Sequence, residues 1–131
     1  MNPTFITYLW VAIGSALGGM ARQYCGVMAA RYWGVEFPWG TIGINILGSF
    51  VIGTFAALTD STGRWPLGGL ARQFVMVGIC GGYTTFSSFS LQSLMLMRDG
   101  RWLEAGANVL LSVTLCLVAV ALGHILAVQL S

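Results

Sequence analysis

Residues 81–90 read Gly-Gly-Tyr-Thr-Thr-Phe-Ser-Ser-Phe-Ser, and they lie inside the uncharged run 73–97. The flanking residues are apolar enough to cross a bilayer. Two adjacent glycines and six hydroxyl-bearing neighbours are poor choices for a helix in lipid, where each freed backbone group must find a partner or face a water-filled cavity. The stretch therefore predicts a spanning helix interrupted around 78–85, resuming at Phe86, and a broken helix at membrane depth lines a path or holds an ion.

Working outward, three further charge-free runs cover residues 1–21, 37–59 and 105–131. About 20 mainly apolar residues span the hydrocarbon core, so four spans are expected. The chain has 131 residues, is 56% hydrophobic and only 8% charged, with a mean hydropathy of +0.80. A soluble surface needs far more charge. The expected fold class is an all-α membrane protein with four transmembrane helices, the third broken near its middle, forming one domain over 1–131. The first span is expected to be retained rather than cleaved, because no basic residue precedes Arg22. Cys25, Cys80 and Cys116 fall in apolar segments without metal or disulfide spacing and read as packing residues.

With four spans, the termini and the 60–72 loop share one side. That side carries Arg64 and Arg72, and the other carries Arg22, Arg31, Arg98 and Arg101. Orientation follows Lys and Arg near the spans, and this bias is weak. Insertion both ways round is the expectation. Two antiparallel copies would then supply the inverted symmetry that larger transporters encode in one chain.

The polar residues within the spans define the chemistry. No carboxylate lies in any span, which argues against proton- or cation-coupled carriage. No acid, base and nucleophile converge, so an enzyme is not expected; His124 stands alone. Asn45 reads as glue between helices, as an amide donor replacing water around an anion, or as both. Arg22 either snorkels to the interface or places positive potential in a wet vestibule. Phe86 and Phe89 share a helical stripe with serines and offer positive ring edges to an anion. Thr41, Ser87, Ser88 and Ser112 are further candidate donors. This lining suits a small, strongly hydrated anion. The break at 81–84 is either a structural kink or a set of backbone carbonyls fit for a hard monovalent cation.

Gly78-Ile-Cys-Gly-Gly-Tyr-Thr-Thr-Phe-Ser-Ser-Phe-Ser-Leu91 resembles the signature of the Fluc (CrcB-type) fluoride channels, G-x-x-G-G-x-T-T-F-S-T-F-S. Gly14-Ser-Ala-Leu-Gly-Gly-Met-Ala-Arg22, Phe37-Pro-Trp-Gly-Thr-Ile-Gly-Ile-Asn45, Gly48-Ser-Phe50 and Asn108-Val-Leu-Leu-Ser112 support it in the same order. The resemblance implies a passive, fluoride-selective channel, an antiparallel dual-topology homodimer with two pathways, in the cell inner membrane. It implies a structural sodium ion held by the carbonyls of Gly81 and Thr84. The anion pathway it implies comprises Asn45, Phe86, Phe89, Thr41, Ser87, Ser88 and Ser112, with Arg22 at the entrance. Fluoride, the lipid bilayer and a second copy are the implied partners, with no role for nucleic acid. Two departures stand out: Ser88 where many members have Thr, and Gln92 where many have Glu. The competing readings are a small multidrug-type dual-topology exporter, which needs a membrane carboxylate, and a non-conducting membrane subunit.

Overall fold

The computed structural model describes residues 1–131, which are helical almost throughout. Helix α1 spans Pro3–Trp33 and α2 spans Trp39–Thr59. The third span, Gly69–Arg98, is composite. It begins as α3 (Gly69–Arg72), widens into a π-helix over Gln73–Cys80, returns to α geometry in α4 (Gly81–Tyr83), and continues after two extended residues as α5 (Phe86–Arg98). Helix α6 is Trp102–Leu130. Four helices are thus long and apolar enough to cross a membrane, and the chain is an all-helical multi-pass membrane protein.

The ends of these helices follow from local chemistry. Asn2 Oδ1 accepts the Thr4 N–H at 2.9 Å and Pro3 occupies the first turn, so two of the unpaired amides at the start are dealt with. Gly34 ends α1 at φ +76°, and Gly100 turns the chain into α6 at the same φ. Both need the left-handed region that glycine enters without strain. At the opposite membrane face Arg72 donates to Ala56 O at 3.2 Å and Thr59 Oγ1 at 2.8 Å, which closes the C-terminus of α2.

Packing uses small residues rather than bulky knobs, as expected where lipid offers no hydrophobic drive between helices. The most extensive contact is α2 against α6, followed by α1 against the π segment. Gly48, Gly53 and Ala57 of α2 and Ala119, Gly123 and Ala127 of α6 are buried. A methyl group on Gly14 would lie 2.6 Å from Phe74 O and 2.9 Å from Gly78 Cα, and one on Gly82 would lie 2.8 Å from Ser15 Cα. Gly78 and Gly82, which read in the sequence as helix breakers, are thus points where two backbones touch. Residues 78–83 stay helical, and the extended backbone is confined to Thr84 (φ −79°, ψ 158°) and Thr85 (φ −151°, ψ 109°).

Candidate functional site

The site is built around those two threonines. In an uninterrupted helix the amides of Thr85 and Ser88 would bond to the carbonyls of Gly81 and Thr84. Both amides are diverted. The Thr85 N–H donates to Asn45 Oδ1 at 2.7 Å, and the Ser88 N–H donates to Thr85 Oγ1 at 3.1 Å. Asn45 also donates through Nδ2 to Thr85 O at 3.1 Å. One amide side chain on α2 therefore clamps both backbone groups of Thr85, and Thr85 in turn caps α5. The carbonyls of Gly81 and Thr84 are left without their helical donors. One N–H of Asn45 remains uncommitted, since the amide carries two.

Two cavities flank this clamp. The first, of about 360 Å³, is lined by Asn45, Gly81, Thr84, Phe86, Phe89 and Ser112 among others. The second, of about 620 Å³, is lined by Arg22, Thr41, Ser88 and Gln92, together with the loop residues Glu36 and Arg101. Thr85 is the only residue lining both. The structure thus divides the candidates read from the sequence between an inner chamber and a charged vestibule. Ser87 lines neither; it is exposed, with its hydroxyl 3.3 Å from Thr85 Oγ1.

The two phenylalanines are in contact, with ring centroids 5.3 Å apart and planes tilted by 56°. They are not equivalent: Phe89 is 8% exposed, whereas Phe86 is 77% exposed at the chamber's open edge. Ser112 is buried and donates to Asn108 Oδ1 at 3.2 Å. Asn108 donates to Ser93 Oγ at 2.9 Å, and Ser93 to Phe89 O at 2.8 Å. This relay commits the Ser112 proton to α6, so Ser112 faces the chamber as an acceptor in this arrangement. Ser88 accepts from Thr85 Oγ1 at 3.1 Å, which leaves its own proton for the vestibule.

In the vestibule Arg22 has no ion-pair partner, whereas Arg101 is paired with Glu104 and lies 3.6 Å from Glu36. The hydrogen bond to Glu104 raises the Arg101 guanidinium above its ordinary pKa. Gln92 Oε1 is buried without a hydrogen-bond partner. Thr85, Asn108 and Ser93 are the residues that sequence reasoning passed over. The cue for Thr85 was its place at the N-cap of a resuming helix; for Asn108 and Ser93 it was their four-residue spacing from Ser112 and Phe89.

Residues 9–124 match the family described as CrcB-like protein, Camphor Resistance (CrcB). The chain is 56% identical over 124 residues to the fluoride-specific ion channel FluC of Methylocella silvestris, covering 95% of each protein. It is 55% identical to the protein of the same name from Opitutus terrae, covering 95% of this chain and 94% of that one. It is 57% identical to that of Rhodospirillum rubrum, covering 94% of this chain and 95% of the relative.

Proposed function

Because this chain belongs to the CrcB-like family, whose similar relatives are named as fluoride-specific ion channels, we propose that it is a passive fluoride channel of the cell inner membrane and not an enzyme. The observation that carries this reading is the Asn45–Thr85 clamp, which stands between a charged vestibule and a chamber edged by two phenyl rings. Arg22 raises the local anion concentration. The Ser88 hydroxyl and the free N–H of Asn45 replace hydration water, and Phe86 and Phe89 offer ring edges. The first turn of α5 adds the partial positive charge of a helix N-terminus. None of these donors is a full positive charge deep in the span, so the anion is rehydrated without being trapped, as conduction requires. Fluoride leaves the cytoplasm down its electrochemical gradient.

The functional unit in this reading is an antiparallel homodimer with two pathways. Two features support it. Between 11% and 28% of the most apolar stretch of each span is buried within one protomer. Phe86 and Gly81 lie exposed at the open side of the chamber. The carbonyls of Gly81 and Thr84, deprived of their helical donors, fit a central sodium ion: they are hard oxygen ligands without net charge, and a second copy doubles their number. When bound, sodium would supply a fixed positive charge that holds the two breaks together.

Purified protein in fluoride-loaded liposomes tests the function. With valinomycin and potassium balancing charge, fluoride is expected to drain rapidly while chloride, loaded identically, is retained. Equal chloride efflux, or no fluoride efflux, overturns the reading.

A further inference from the structure

The rim of the vestibule carries a charge arrangement that the pathway described above does not use. Four ionisable side chains line this cavity: Arg22, Arg101, Glu36 and Asp99. Two are cationic and two anionic, so they cancel in sum. Their wiring is unequal. Arg22, on α1, has no ion-pair partner. Arg101 is held between two carboxylates that come from different elements: Glu104 in the first turn of α6, and Glu36 in the loop joining α1 to α2. The Arg101 amide is itself fixed, donating to Leu96 O at 2.9 Å, and its side chain is 29% exposed. The Glu36 side chain is 90% exposed. It contributes little to packing, and its charge is the component that can be removed without disturbing the fold.

We propose that Glu36 sets the rate of anion entry by neutralising Arg101 at the vestibule mouth, so that the Glu36–Arg101 pair acts with Arg22 to fix the local anion concentration. This rests on the fluoride-channel reading and adds to it a residue that meets no permeating ion. The Glu104 contact holds Arg101 in place, and the Glu36 contact subtracts its field. With Glu104 counted, Arg22 and Arg101 face the three carboxylates Glu36, Asp99 and Glu104, so removing the charge of Glu36 takes the cluster from one net negative charge to neutrality. A unit charge acting across about 10 Å of water changes the local concentration of a monovalent anion about twofold. At about 10 mM ionic strength the screening length is roughly 30 Å and the effect is felt in full, whereas at 1 M it shrinks to about 3 Å and the effect disappears.

The test is fluoride efflux from proteoliposomes at subsaturating fluoride, in about 10 mM and in 1 M salt. E36Q is expected to conduct about twice as fast as the parent in low salt and equally fast in high salt. E36D, which keeps the charge, should match the parent in both. In the double variant E36Q/R101Q the acceleration should vanish, because the field that Glu36 opposed is gone. An E36Q rate equal to the parent's in low salt overturns the proposal. So does an acceleration that persists in 1 M salt, which marks a structural cause. A parent protein that carries no fluoride instead defeats the functional reading beneath it.

Discussion

Asn45→Asp is the perturbation that interrogates the clamp most directly. The two side chains have nearly the same shape. Aspartate keeps the oxygen that accepts the Thr85 N–H, now 2.7 Å away, and loses the donor to Thr85 O, now at 3.1 Å. A buried carbonyl left unpaired costs about 1–3 kcal/mol. The ionised side chain also places a negative charge where the anion should pass. Two like charges about 4 Å apart repel by about 4 kcal/mol at an effective dielectric of 20, which corresponds to roughly a thousandfold slowing at the usual 1.4 kcal/mol per decade. Protonation reverses both losses, because the carboxylic acid is neutral and its O–H donates to Thr85 O. Burial in the span favours that neutral form, so flux should fall steeply at pH 7.5 and recover in part as the pH drops toward 5.5. Asn45→Ala removes the clamp without adding charge and should show no such recovery. Efflux is read with a fluoride electrode, subtracting protein-free vesicles at each pH, and assembly is checked by size-exclusion chromatography. Asn45→Asp flux within threefold of the parent at pH 7.5, in a normally assembled protein, would refute the reasoning.

Other substitutions separate packing from passage. Phe89→Ala opens a buried site and is expected to cost about 3–5 kcal/mol of stability, whereas Phe86→Ala, at a position exposed within the protomer, should slow fluoride at a much smaller cost in the melting temperature of the detergent-solubilised protein. Gly82→Ala would set a methyl group against the Ser15 backbone, so a loss of about 1–3 kcal/mol is expected, visible as a lower aggregation temperature. Asn108→Leu breaks the relay from Ser112 to Ser93 and should cost about 1–2 kcal/mol while sparing flux, because the Ser112 proton is then released toward the chamber. Flux that collapses in a well-folded Asn108→Leu protein would assign the relay a direct part in conduction.

The number and rough extent of the spans were legible because charge is nearly absent from four runs and concentrated between them. The pairing of Phe86 and Phe89 was legible too, since helical spacing alone puts the rings side by side. The division of the pathway was not. It depends on which carbonyl each amide of the third span selects, and Asn45 makes that choice from forty residues away. Gly78 and Gly82 misled for a related reason. A glycine that breaks a helix and a glycine that admits a neighbouring backbone look alike until the partner, here Gly14 and Ser15 of α1, is in place. The π-helix over Gln73–Cys80 had no signal of its own, because its five-residue bonding leaves the composition of an apolar span untouched.

The side chain that holds the interruption of the third span belongs to the second, which has a consequence for biogenesis. Spans leave the ribosome in chain order, so Asn45 is already in the bilayer when Thr85 arrives. An interrupted segment entering lipid alone would bring unpaired peptide groups costing several kcal/mol each. The Asn45 amide offers a partner to both backbone groups of Thr85, so part of that cost is met by a span that precedes it in the chain.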